Sequence, residues 1–136
     1  MIEKIVHKKK TFALVFRKGI EVQSTKFLTP DESPLQVGYV VRKKGYVEPP
    51  HIHKRVRRVI EDVQQMLHIQ RGIVVIDFFG DEGDLIESVE LKEGDAILLM
   101  EGAHSIRVIK DLKCLSVKQG PFLGHEEDKI EVGRKK

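Results

Sequence analysis

Apolar residues fall in short β-prone runs separated by charged or glycine-containing breaks. Thr11–Phe16 is such a run and stops at Arg17-Lys18-Gly19; Ile20–Phe27 alternates loosely. In 35–43, Leu35, Val37, Tyr39 and Val41 recur at the two-residue period of a strand with one buried face. Thr29–Pro34 reads as a turn by its Pro, Asp and Ser content, and Pro49-Pro50 favours an extended entry into His51. Two β-rich runs, 63–70 and 73–79, flank Arg71-Gly72, a spacing that predicts a hairpin. Further strands are expected at 85–91, 96–100, 105–109 and 113–118, with turns at Gly80–Asp84 and Lys92–Asp95. The one weak helical pattern, 56–67, is rejected because strands flank it. Many short strands at close spacing predict an all-β chain with a closed or double-sheet architecture.

Composition narrows the class. A chain of 136 residues with 40% hydrophobic and 33% charged residues is expected to form one globular domain, 1–136, with its motif-bearing core at about 35–118. No apolar run approaches the roughly 18 residues of a membrane span. The start of the chain lacks the apolar core of a signal peptide, and the single cysteine, Cys114, excludes an internal disulfide; together these predict a cytoplasmic protein. The net charge is +3, which the basic tail at 133–136 supplies through Arg134, Lys135 and Lys136. The clusters His7–Lys10 and Lys54–Arg58 read first as solvated loops. There is no Trp and no recognition-helix or zinc-finger pattern, so neither nucleic acid nor membrane is an expected partner.

Two histidine-bearing segments carry the candidate chemistry. Gly45–His53 contains His51-Ile52-His53; Gly94–His104 ends on a third histidine. In an extended segment a His-x-His pair puts both imidazoles on one face, and a histidine from a distant strand could complete a facial metal site. His7, His68 and His125 read as ordinary polar residues, and His68 has the opposite parity to Gln65.

These segments resemble the paired motifs of the cupin superfamily. In the first motif Gly45, His51, His53 and Gly72 match, while Gln65 holds the position of the usual Glu after an eleven-residue gap from His53. In the second, Gly94, Gly102 and His104 match; Met100 replaces Pro, one residue instead of two precedes the histidine, and Val108 stands where Asn is usual. The resemblance covers roughly 35–117. It implies a jelly-roll barrel (a double-stranded β-helix) enclosing a divalent transition metal held by His51, His53, Gln65 and His104. Fe, Zn, Ni, Mn or Cu would all suit such ligands. Glu61 is an alternative carboxylate ligand and Glu48 a weaker one. Three imidazoles and a neutral Gln would leave the ion its full charge, favouring an anionic substrate. The region Lys118–Phe122 with Asp128-Lys129-Ile130 is similar to small cupins found among polysaccharide and modified-sugar biosynthesis proteins, implying a sugar or nucleotide-sugar ligand.

The resulting expectation is a metal-binding cupin acting on a small anionic or sugar-like molecule, with Arg57 and Tyr39 as substrate-binding residues. Arg57 would share a face with Gln65 were the chain extended between them. If the protein is an enzyme, isomerase, lyase and dioxygenase chemistry all fit. The alternatives are a non-catalytic small-molecule or sugar-binding module and a metal-free epimerase-like cupin, which would use a cavity His as base and Tyr39 or Tyr46 as acid. A homodimer is expected, with the apolar strand Thr11–Phe16 exchanged to cover an exposed edge.

Overall fold

The computed structural model describes residues 2–124, 129 and 130; His125, Asp128 and the basic tail lie outside the described residues. Among the described residues there is no helix, and the chain is all-β as its short apolar runs predict. The chain divides into two compact units, one of residues 1–20 and 63–136, the other of residues 21–62.

The larger unit is a curled antiparallel sheet of six strands. Its hairpin of β1 (Glu3–His7) and β2 (Lys10–Phe16) turns through Lys8 and Lys9, both at positive φ. The basic cluster His7–Lys10 is therefore a hairpin tip. β2 pairs next with β7 (Ala96–Leu99), and β7 with the first part of β5 (Gln65–Phe79). The second part of β5 pairs with β6 (Leu85–Lys92). Along its other edge β5 pairs with β8 (Ala103–Lys118) from Gln65↔Lys118 to Phe79↔Ala103.

Three expectations change. First, 63–70 and 73–79 are not two arms of a hairpin but parts of one strand, β5. Arg71-Gly72 marks an irregularity in the β5–β8 pairing rather than a turn. Gly72 has φ +97°, and a Cβ there would collide with the carbonyl oxygens of Lys110 and Asp111 on β8. The predicted strands 105–109 and 113–118 likewise merge into β8, because β8 tracks β5 across the same irregularity. Second, Thr11–Phe16 is an interior strand of this sheet rather than an edge. β1, which the sequence pattern did not announce, covers one side of β2 and β7 the other. Third, in the smaller unit, 20–27 and 35–43 contribute only β3 (Lys26–Phe27) and β4 (Gly38–Tyr39). These two strands pair only with each other, through Lys26↔Tyr39 and Phe27↔Gly38, so alternation beyond them has no ladder to join.

The core of the larger unit explains the irregularity in β5. Leu67 and Ile69 are buried at odd positions; Val74, Ile76 and Phe78 are buried at even ones. All five belong to one cluster with Phe12, Val15, Leu91, Ile97 and Leu99. An uninterrupted strand would send one of these sets to the opposite face. The bulge around Gly72 resets the alternation and keeps both halves on the core, where each fully buried aliphatic or aromatic side chain contributes about 1.5–3 kcal/mol. β2 and β7 are buried along nearly their whole length, in keeping with their interior place in the sheet.

Candidate functional site

His51 and His53 lie in the smaller unit, in a segment without strand pairing. Their rings nevertheless stand together, with centroids 5.4 Å apart and planes 77° to one another. Both side chains are exposed. His51 Nδ1 lies 3.0 Å from the carbonyl oxygen of Pro49. In the tautomer that protonates Nδ1, this nitrogen donates to Pro49 and leaves the Nε2 lone pair free. Ligating histidines are commonly oriented in this way. The two prolines that keep the chain out of helix thus also supply the carbonyl that fixes one ring.

Gln65 and His104 both lie in the larger unit, but the register does not bring them together. Gln65 is opposite Lys118 at one end of the β5–β8 pair, and its Nε2 donates to Ser116 Oγ at 2.8 Å. His104 is opposite Phe78, thirteen residues further along β5, which amounts to about 40 Å of strand. Gln65 has the same parity as the buried Leu67 and Ile69, whereas His68 is exposed on the other face. His104 keeps solvent contact, yet desolvation by the surrounding protein lowers its pKa, and the nearby charge of Lys129 lowers it further. Within neither unit do three or more His, Cys, Asp or Glu side chains converge at ligating distance, among the described residues.

The remaining candidates belong to the smaller unit. Tyr39 is half-buried on β4, and burial raises its pKa. Arg57, Glu48 and Glu61 are exposed. Residues 51–62 form no strand, so the two-residue alternation that aligned Arg57 with Gln65 does not run through them.

Two polar clusters of the larger unit have no counterpart among the sequence-based candidates. Asp77 is buried on β5 and accepts from Arg107 Nε at 2.5 Å, Arg107 Nη2 at 3.0 Å and Ser88 Oγ at 2.5 Å. Arg107 first and Ser88 second pull its pKa down to about 2. Asp95, at the turn before β7, accepts the N–H of Lys18 at 3.0 Å, the N–H of Lys92 at 3.1 Å and Arg17 Nη1 at 3.1 Å. Burial alone would raise its pKa, but the two backbone N–H groups and the Arg17 guanidinium reverse this and lower it. Arg17 also donates to Glu3 Oε2 at 2.6 Å. Every carboxylate oxygen of Asp77 and Asp95 is engaged by neighbouring strands and turns, so both clusters read as fasteners of the sheet rather than open sites. The Lys92–Asp95 turn was recognisable in the sequence; its anchoring partners, more than seventy residues away, were not.

No family model, curated protein or solved structure matches this chain.

Proposed function

We propose that this chain is a metal-binding protein of cupin type, a jelly roll in which His51 and His53 hold a divalent transition metal. It acts on a small anionic or sugar-like molecule. The observation that carries the reading is the juxtaposed His51–His53 pair with one ring oriented by the Pro49 carbonyl. The donor chemistry fits: two exposed imidazoles, one with its metal-binding nitrogen left free, suit Fe, Zn, Ni, Mn or Cu.

The motif resemblance adds support. Its four glycines, Gly45, Gly72, Gly94 and Gly102, all have positive φ, a backbone conformation that glycine adopts at little cost. The resemblance supplies His104 as a third imidazole. Desolvation and the Lys129 charge lower its pKa, which favours the neutral form in which histidine ligates. Gln65 is the least supported ligand, since its amide nitrogen is engaged by Ser116 and the β5–β8 register separates it from His104. A bound divalent ion would supply Lewis-acid polarisation of substrate oxygens. Arg57, four residues after His53, would serve an anionic substrate group, and Tyr39 would be a donor for a hydroxylated one.

Elemental analysis of untagged protein, beside His53→Ala and His104→Ala, tests the proposal. Near-stoichiometric transition metal in the parent, lost in His53→Ala, is the expected result; loss in His104→Ala as well identifies the third ligand. A parent that takes up no metal even on reconstitution overturns the reading and leaves the three histidines as binding or acid–base groups.

A further inference from the structure

Residues 50–62 of the smaller unit form no strand, and every one of them is exposed. Four are large and aliphatic: Ile52 is 90% exposed, Val56 60%, Val59 75% and Ile60 45%. Two-residue alternation does not collect them on one face, since Val59 has the opposite parity to the other three. Their spacing, i, i+4, i+7 and i+8, is that of a helical face, and on a helix they fall within an arc of about 100°. The part of the helical pattern 56–67 that precedes β5 therefore takes no part in the sheet. Pro50 suits a first helical position, and Pro49 before it is held extended. The charges follow the same period. On the helix Arg55 and Arg57 flank the apolar arc on opposite sides, and Lys54 and Arg58 lie behind it. None of these four cations enters an ion pair among the described residues. The acidic residues of the segment, Glu61 and Asp62, stand together at its end.

We propose that residues 50–62 fold into an amphipathic helix on an anionic lipid bilayer and lie in the plane of its headgroups. Hydrocarbon takes the aliphatic arc, while headgroup phosphates and carboxylates on both sides take Arg55 and Arg57, whose stems reach outward from the boundary. Four Lys and Arg on such a helix are the composition that anionic lipid attracts. A nucleic acid would leave the aliphatic arc without a partner, and 50–62 holds no Phe, Tyr or Trp on which a base could stack. A protein groove would cover one side of the helix and leave the cations behind the arc unused. The helix lies on the surface, so no membrane span is implied. It also turns His51 and His53 away from each other, because residues two apart do not share a helical face. The inference does not rest on the metal reading, and its test is run with a chelator present.

Flotation of the full chain with phosphatidylserine–phosphatidylcholine vesicles, followed by far-UV circular dichroism, tests the proposal. The parent is expected to float with these vesicles and not with phosphatidylcholine alone, to bind less as salt rises, and to gain helical signal on binding. R55A/R58A removes two cations and is expected to weaken binding about thirtyfold. V56S/V59S keeps the charge and is expected to lose both the helical gain and most of the binding. All four side chains are exposed, so the fold should tolerate these changes, which unchanged thermal unfolding without vesicles checks. K8A/K9A, at the hairpin tip of the larger unit, should bind as the parent does and so localises the effect. No binding to anionic vesicles, equal binding to phosphatidylcholine, binding without helical gain, or indifference to V56S/V59S would each overturn the proposal. A chain that gains helix on an acidic peptide or a nucleic acid but not on vesicles would assign the segment to that partner and overturn it equally.

Discussion

Arg107 on β8 grips Asp77 on β5 with both Nε and Nη2, at 2.5 and 3.0 Å, and so ties the two longest strands together on their outward face. Ser88 on β6 closes the arrangement from the other side. The contacts favour the ionised carboxylate, which holds Asp77 at about 2 against an ordinary 3.8. Between those values the native chain binds fewer protons than the unfolded one, so stability rises with pH there. The stabilisation is fully present above about pH 4 and is lost as pH falls towards 2. Acid titration followed by circular dichroism is expected to show an unfolding midpoint shifted to higher pH in Asp77→Asn at matched salt. An unshifted acid limb would mean that this pair contributes nothing to the pH dependence.

Gly72 is expected to be the least replaceable glycine in the larger unit. Its positive φ disfavours any L side chain, and the Lys110 and Asp111 carbonyls occupy the space that a Cβ requires. Both obstacles are backbone and cannot be relieved by a rotamer change. Gly72→Ala should cost about 3 kcal/mol, combining left-handed strain with a steric clash in the ladder. Gly19→Ala, with open space around the added carbon and no positive φ, is the control. Urea unfolding midpoints compare the two, and equal losses would show that the bulge tolerates a side chain.

A different kind of fastener sits at Asp95. Removing its carboxylate in Asp95→Ala leaves the N–H groups of Lys18 and Lys92 without their acceptor and Arg17 with Glu3 as its remaining carboxylate partner. A loss of about 3 kcal/mol is expected, the scale of breaking a buried, hydrogen-bonded charge. Asp95→Asn retains one carbonyl acceptor and should lose less. Thermal unfolding of the pair of variants checks the order; Ala and Asn equal to the parent would show that neither contact matters.

Short apolar, β-prone runs made the strands at 10–16, 85–92 and 96–99 readable, because each is bounded by a break that carries Gly or charge. Such runs mislead where two halves of a strand are joined through an irregularity. At Gly72 the change of parity and the glycine have the same local signature as a tight turn, and only the carbonyls of Lys110 and Asp111, far along the chain, distinguish a bulge from a hairpin. The His51–His53 pair was also readable, since two residues at that spacing meet through local geometry alone. The relation of Gln65 to His104 was not: it is set by the register of β8 on β5, a long-range property that motif spacing does not encode. The grip of Arg107 on Asp77 and of Arg17 and Lys18 on Asp95 was not readable for the same reason, these partners being distant in sequence and close only in the folded sheet.

That register leads to a prediction about the ligand set. If metal is held by His51 and His53 with His104, then Gln65, at the far end of the β5–β8 pair from His104 and bonded to Ser116, should be dispensable for binding. Isothermal titration with Zn²⁺ is expected to show Gln65→Ala within about twofold of the parent, the tolerance for sites that do not interact. His51→Ala and His53→Ala should lose more than the roughly 10–100-fold typical of disturbing an outer-sphere partner, because they remove the ligating nitrogen itself. Affinity should also fall as pH drops below the imidazole range, since protons compete for the same lone pairs. If instead Gln65→Ala loses affinity on the scale of the histidine variants, the amide is a ligand after all. The metal-bound chain would then have to bring the two ends of the β5–β8 pair to one ion, which the register described here does not allow.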